Sequence, residues 1–296
     1  MIVNDMAYST ELLQLLQFAD DSTLSYSSVN LADAISCIES EFTHVLDWLA
    51  ANKLIINLNK THLMVFTNRD RPQSISINAN GHTINEISQT KFLGIILDNK
   101  LCWDAHIKHI TQKVSKTVAL IRILKWTLPT KTLKTLYYTM VFPYFNYCNA
   151  VWGGAANTHI QQLVLLQKKC IRNVCKVGYF NHTAPLFKKL RILKMDQIYH
   201  LNCGKFIYQC YNNSNYAEFR SRLVQHSNIH DYQTRNKDKL IPQCGRLYQF
   251  DNSQLNVGIA IWNILPQKFK TFKTLALFKS KLKEYILLAT SSILNN

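Results

Sequence analysis

The sequence predicts an α+β protein, with short strands in about the first 100 residues and helices over the remainder. Three observations predict it. Up to about residue 100, apolar residues run in short blocks between turn residues. From Asp104 onward the apolar spacing changes to threes and fours. Gly, at 8, and Pro, at 6, are too scarce for a chain built on many tight turns. With 296 residues, 47% hydrophobic and 18% charged, the chain can bury a sizeable core and by length alone suggests two domains. It shows no internal repeat and no Gly-rich phosphate loop.

Residues 12–19 and 24–26 are short apolar runs separated by Asp20-Asp21-Ser22-Thr23, a pattern for a β-hairpin with the acids at its tip. A helix then starts at Asn30 or Asp33, carries Ala34, Ile35, Ile38, Phe42, Val45, Leu46 and Leu49 at helical spacing, and ends near Asn52. Residues 54–57 and 62–66 are expected as strands. A small hairpin is expected from residues 75–77 and 83–84 around Asn80-Gly81, and residues 92–97 as one further strand.

Beyond Asp104, Ile107, Ile110, Val114, Val118 and Ile121 form one helix face, with Lys108, Lys113, Lys116 and Arg122 broadly opposite. A second helix runs from about Thr130 until Pro143 stops or kinks it. A third buries Ile160, Leu163, Val164, Gln167, Ile171 and Val174 and exposes Lys168, Lys169, Arg172 and Lys176. Residues 212–258 are polar and carry no clear periodicity. The last helix covers residues 271–288, with Leu275, Phe278, Leu282 and Ile286 inward.

Charge is divided unevenly. Residues 1–68 hold two basic and eight acidic side chains, a net of −6, whereas the rest holds 32 basic and ten acidic, a net of +22. A long polyanion is the natural partner of so basic a region, and its Tyr, Trp and His content favours nucleic acid over a merely solvated surface. The 8 Cys contain no CxxC pair and are expected as reduced thiols, mostly filling core; Cys170 and Cys175 fall near the apolar face of the third helix. The first residues lack a basic segment followed by an apolar one, so the expected location is intracellular, nuclear or cytoplasmic, and not secreted. Residues 135–167 contain no Asp, Glu, Lys or Arg, but Pro143, Gly153, Gly154 and several Asn interrupt them, so no membrane span is expected.

Phe18-Ala19-Asp20-Asp21 carries the chemistry. Adjacent carboxylates at a hairpin tip repel each other unless cations neutralise them, and hard divalent ions prefer carboxylate oxygen. Alternation along a strand lets one Asp reach a metal while the other turns away. In isolation an Asp-Asp pair reads as an ordinary acidic turn; its surroundings change that. Cys203, Cys210, His226 and His230 could be arranged as zinc ligands, but the six residues between the two Cys depart from the usual spacing. His106 and His109, at the start of a helix, are expected to cap it or to face solvent.

Phe18-Ala19-Asp20-Asp21 between apolar strands resembles the catalytic hairpin of reverse transcriptases, and Ile2-Val3-Asn4-Asp5 resembles the segment leading into it in non-LTR retrotransposons. Trp48, Leu49, Asn52, Lys53, Leu54, Asn57, Lys60, Thr61, Met64 and Phe66 are similar to the helix-strand palm motif that follows. Lys91-Phe92-Leu93-Gly94-Ile95, then Leu97-Asp98, Leu101, Trp103 and His106-Ile107, resemble the primer-grip strand and the start of the thumb. Pro143-Tyr144, Tyr147, Val151-Trp152-Gly153 and the later Trp262-Asn263-Ile264-Leu265-Pro266, Phe278-Lys279 and Leu282-Lys283 look like the C-terminal region of jockey-like elements. The blocks come in the family's order over nearly the whole chain.

The resemblance implies a partial reverse-transcriptase palm over residues 1–100, a helical thumb over 101–180 and a basic, mostly helical extension over 181–296. It implies template-directed nucleotidyl transfer with Mg²⁺ or Mn²⁺, Asp20 as the main metal ligand and Asp21 in support. Lys60 would sit near the triphosphate, although a surface lysine before a strand is nearly as plain a reading. Phe92, Leu93 and Gly94 would press against the primer terminus, Gly allowing close approach. Lys108, Lys113, Lys116 and Arg122 would track the RNA·DNA duplex formed by RNA template and DNA primer. A complete palm carries another metal-binding carboxylate and the fingers before the hairpin. Only 19 residues precede Asp20, with Asp5 and Glu11 their sole acids. The expectation is therefore a truncated RNA-directed DNA polymerase, inactive alone; the alternative is a non-catalytic RNA- or DNA-binding module. Oligomeric state is not legible.

Overall fold

Helix α1, Leu31–Ala51, organises the first of the two units into which the chain divides, Met1–Leu101 and Cys102–Asn296. The computed structural model describes residues 5–67, 69, 74–228, 237–245 and 248–288. Asn30 starts α1 by accepting the Ala32 amide on its side chain at 3.1 Å, and Asn52 closes it by donating to the Trp48 carbonyl at 2.9 Å. The stripe Phe42, Val45 and Leu46 is buried against Met6, Ile77, Ala79 and Ile84.

Three antiparallel hairpins follow the chain order, each a separate two-stranded sheet: β1 Gln14–Phe18 with β2 Asp21–Ser25, β3 Ser76–Ala79 with β4 His82–Asn85, and β5 Gln89–Phe92 with β6 Ile95–Asp98. Leu15 pairs with Leu24, and Ile77 with Ile84, so the alternation of the first two hairpins turns one apolar face of each toward α1. Asn80 and Gly81 both have positive φ, the backbone that a two-residue turn between right-twisted strands requires.

Two expectations fail in this unit. Residues 54–57 and 62–66 form no strands; Leu63 makes one isolated bridge with Glu86. The chain instead turns at once, with the Lys60 amide and the Thr61 hydroxyl both donating to the Asn57 carbonyl, and strand propensity without a neighbouring strand fixes nothing. Residues 92–97 are not one strand. Leu93 and Gly94, at φ +44° and +85°, fold them into the β5–β6 turn.

The second unit is helical: α2 Asp104–Leu124, α3 Thr130–Leu136, α4 Phe142–Asn146, α5 Asn149–Trp152, α6 Asn157–Val174, α7 Ala184–Leu190, α8 Met195–Asn212, α9 Ala217–Ser221, α10 Tyr248–Asp251, α11 Gln254–Ile264, α12 Gln267–Lys270 and α13 Leu275–Leu288. On α2 the expected stripe from Ile107 to Ile121 is buried, and Lys108, Lys113, Lys116 and Arg122 are exposed. His106 departs from expectation: it neither caps nor faces solvent, but lies buried with its ring edge-on to Trp152 at 5.5 Å. Burial and the neighbouring His109 lower its pKa to about 4.

The helical path continues past Pro143. The preceding turn widens into a π segment, Tyr137–Val141, in which the Phe142 amide reaches back five residues to the Tyr137 carbonyl. Pro143 then sits in the first turn of α4, where its missing N–H costs nothing. In α6, Leu163, Gln167, Ile171 and Val174 are buried as expected, whereas Ile160 and Val164 are only half-buried; Lys169 and, just past the helix end, Lys176 are exposed, while Lys168 and Arg172 are half-buried. Gln167 donates to the Tyr137 hydroxyl at 2.9 Å and the Leu193 carbonyl at 3.0 Å, which explains a glutamine in an apolar core.

Helix α8 is the centre of this unit, packed by α4, α5, α6, α11 and α13. Tyr208 stacks on Phe278 at 4.4 Å and Tyr211 on Trp262 at 5.0 Å. Gly258 lets α11 approach, since a Cβ there would lie 2.9 Å from the Cys203 carbonyl. Helix α13 begins later than expected because Thr274 caps it, its hydroxyl accepting the Leu277 amide at 3.3 Å. All eight cysteines are free thiols, and Cys170, Cys203 and Cys210 are buried. Burial pushes the Cys170 thiol up to about 12 and Cys210 up to about 11. Among the described residues no helix is long and apolar enough to cross a membrane.

Candidate catalytic hairpin and nucleic-acid interface

The β1–β2 turn consists of Ala19 and Asp20, closed by the pair Phe18 and Asp21. Ala19 takes φ +54°, a left-handed backbone costly for a residue with a Cβ. Asp20 and Asp21 are both exposed, but the turn is tighter than expected: Asp21, Ser22 and Thr23, expected between the strands, pair with Phe18, Gln17 and Leu16 as part of β2.

The hairpin is tied down from below. Glu41, buried on α1, accepts the Thr10 hydroxyl at 2.5 Å and the amides of Glu11 and Leu12 at 2.9 and 3.2 Å, just before β1. The Thr10 hydroxyl bond and these amides hold the Glu41 carboxyl below its ordinary range. Nearer the turn, the facing pair Gln17 and Ser22 both point at the Met6 sulfur, at 3.5 and 3.9 Å. Sequence reasoning missed Glu41. Its signal was position, between Ile38 and Phe42 on the stripe that packs inward.

Lys60 occupies the exposed turn after Asn57, and no ion pair or hydrogen bond joins it to Asp20 or Asp21 among the described residues. Phe92, Leu93 and Gly94 come together at the β5–β6 turn, with Phe92 and Leu93 half-buried and Gly94 exposed. On α2, Lys108 is engaged by Asp104 at 2.6 Å, and His159 contacts the same carboxylate at 3.1 Å. Lys113, Lys116 and Arg122 project from the face opposite the buried stripe.

Several residues of the C-terminal motifs are structural. Trp152 is fully buried and donates from its indole nitrogen to the Tyr147 carbonyl at 2.8 Å. Asn263 accepts the Leu240 amide at 2.9 Å and donates to the Leu240 carbonyl at 2.8 Å, standing in for a strand neighbour. Cys203 and Cys210 lie buried in α8, His226 sits in a short 3₁₀ turn, and His230 and residues 2–4 lie outside the described residues.

Over 187 residues, 62% of its length, the chain is 27% identical to a probable RNA-directed DNA polymerase from transposon BS of Drosophila melanogaster. Over 184 residues, 60% of its length, it is 26% identical to the RNA-directed DNA polymerase from mobile element jockey of the same fly. The chain is similar to non-LTR retrotransposon reverse transcriptases. A probable RNA-directed DNA polymerase from transposon X-element, also of that fly, extends this likeness to 221 residues, 72% of the chain, at 25% identity. These stretches are 21%, 20% and 22% of the three relatives, so the chain spans about a fifth of the reverse transcriptases it matches. No family model and no solved structure matches it.

Reverse-transcriptase likeness implies Mg²⁺ or Mn²⁺. The oxygen donors of Asp20 and Asp21 suit a hard cation, but among the described residues no group of three His, Cys, Asp or Glu could hold a metal ion. The two carboxylates by themselves do not make a complete two-ion site, and no metal-borne step follows from them alone.

Proposed function

We propose that these residues supply the carboxylate hairpin and a nucleic-acid grip of an RNA-directed DNA polymerase. The carrying observation is the likeness to such polymerases over 187 to 221 residues of a chain whose Asp20-Asp21 pair is exposed at a hairpin turn. In this reading Asp20 and Asp21 are part of the ligand set for Mg²⁺ or Mn²⁺, and further palm residues of a longer chain complete it. The 296 residues alone do not extend a primer. Lys60 serves the incoming triphosphate, and Phe92, Leu93 and Gly94 face the primer terminus. A turn with backbone exposed at Gly94 suits close approach to a nucleotide.

The helical unit binds the RNA·DNA duplex of RNA template and DNA primer. Lys113, Lys116 and Arg122 contact phosphate, and Lys108 contributes once released from Asp104. The chemistry is sequence-independent: cations replace the counterions that phosphate condenses, so affinity falls steeply with salt. Binding of an RNA·DNA duplex by the 296-residue chain at several salt concentrations tests it. The expected result is strong, salt-sensitive binding; no binding at low salt, or binding insensitive to salt, overturns it.

A further inference from the structure

We propose that Tyr179 and Phe180, in the loop between α6 and α7, form a stacking platform for the unpaired bases of an RNA strand, with Arg172 holding the platform in place. The proposal deepens the polymerase reading and rests on it for the kind of partner. The site is separate in residues from the basic face of α2, and it takes an unpaired strand where that face takes a duplex. Helix α6 ends in a left-handed residue, Lys176 at φ +58°. The Lys176 amide donates to the Asn173 carbonyl at 3.1 Å and the Val177 amide to the Arg172 carbonyl at 3.1 Å. That pair of reversed bonds stops the helix and fixes the path of the chain beyond it.

Arg172 fastens the far side of the loop. Its Nε donates to the Asn181 carbonyl at 2.9 Å, and its guanidinium carbon lies 5.6 Å from the centre of the Tyr179 ring. The Phe180 ring stands edge-on to Tyr179, with centres 5.3 Å apart and planes at 88°. The pair is thus held in one arrangement, yet Tyr179 is 66% and Phe180 92% exposed. Phe187 and Leu190, a few residues on in α7, are buried instead. Single exposed apolar residues are ordinary, but adjacent rings fixed in place and left in water mark a contact site.

The charge around the rings decides what they contact. Residues 105–195 contain no Asp or Glu. Lys169 and Lys176 precede the loop and Lys188 and Lys189 of α7 follow it, all four exposed. A ligand with flat apolar faces and a regular run of negative charge matches both features. An unpaired nucleic-acid strand is such a ligand, since its bases stack on rings while its phosphates meet cations. Bases inside a duplex already stack on one another and offer no free face. For an apolar protein surface the absence of acids would bring no gain.

The test measures binding of a short labelled single-stranded RNA and of an RNA·DNA duplex by the full chain, for the parent, Tyr179→Ala/Phe180→Ala, Phe180→Leu and Phe180→Trp. The double variant should bind the single strand about fivefold or more weakly, with an unchanged slope of log affinity against log salt, because stacking releases no counterions. Phe180→Leu, apolar but without a π-face, should lose affinity as well, and Phe180→Trp should keep it. An RNA of the same length lacking its bases should bind parent and double variant equally. Duplex affinity and the thermal midpoint should stay at the parent's values in every variant; a fall in midpoint would mark a structural role and overturn the platform. Single-strand affinity that is unchanged in the double variant, or kept in Phe180→Leu, refutes it, and the polymerase reading stands if duplex binding persists. If the parent binds neither strand nor duplex, both fall. A loss confined to a DNA strand of the same sequence would overturn the assignment to RNA. Loss of self-association or of phosphatidylserine-vesicle binding in the double variant, with RNA affinity unchanged, would assign the rings to a protein or membrane surface instead.

Discussion

Glu41 on α1 accepts the Thr10 hydroxyl at 2.5 Å and so fastens the chain just ahead of β1 to the helix that follows the hairpin. The carboxylate also takes the Glu11 and Leu12 amides, while the Leu13 amide donates to Thr10 itself at 3.1 Å. The acid therefore fixes the segment that leads into β1. Glu41→Ala leaves one hydroxyl and two amides without an acceptor and should cost about 1–3 kcal/mol in urea unfolding. Because the folded Glu41 pKa is lowered from 4.5, its contribution is full above pH 4.5 and is lost as pH falls through the folded value. Parent and Glu41→Ala should thus converge in acid; equal midpoints at pH 7 would show that the contact carries no energy.

Ala19 turns the hairpin with φ +54°, where a Cβ costs roughly 1–2 kcal/mol and glycine costs little. Ala19→Gly should raise the thermal midpoint, despite the greater freedom it gives the unfolded chain. Gly94→Ala, at φ +85° in the β5–β6 turn, should lower it by a comparable amount. Opposite signs in calorimetry are the expected result, and a shared sign would refute the turn geometry.

Much of this was legible in the sequence where a pattern was one-sided. The β1–β2 turn with its acids, α1 with its Asn caps, and α2 with apolar and basic faces all follow from residue order. Helix α8 was not, because ten of its residues are buried around the whole cylinder and no amphipathic period survives. Residues 92–97 read as a strand because Leu93 disguises a turn that only the left-handed backbone reveals. Glu41 is a charged residue on a buried stripe, where neighbours far away in sequence decide its role.

His106 makes the helical unit acid-sensitive. Buried beside Trp152, it is held neutral down to about pH 4, whereas an unfolded chain takes the proton near 6.5. Its folded pKa is the lower one, so stability is full above pH 6.5 and declines as pH falls toward 4, by up to about 3 kcal/mol. His200, lowered by burial in the same direction, adds to the decline. In His106→Gln the difference in unfolding free energy between pH 7 and pH 5 should shrink; a difference as large as the parent's would place the titration elsewhere.

The two faces of α2 separate binding from folding. Lys113→Glu with Lys116→Glu changes exposed residues and should weaken RNA·DNA duplex binding at least tenfold at low salt, with a thermal midpoint close to the parent's. Ile110→Asp places an unpaired charge at a position only 3% exposed and should unfold the helical unit. Circular dichroism beside the binding assay distinguishes them, and identical behaviour of the two variants would mean that the faces are misassigned.

Primer extension on an RNA template, with Mg²⁺ present and one longer chain carrying additional palm and finger residues ahead of the hairpin, tests the central claim most directly. Asp20 lies in the turn and Asp21 beside it at the start of β2, and two-ion chemistry needs carboxylates converging from separate strands. The longer chain should extend the primer and lose that activity in Asp20→Ala, while the 296 residues alone yield no product. Extension by the 296 residues that disappears in Asp20→Ala, or extension by the longer chain that survives it, would contradict the assignment of Asp20 to an incomplete site.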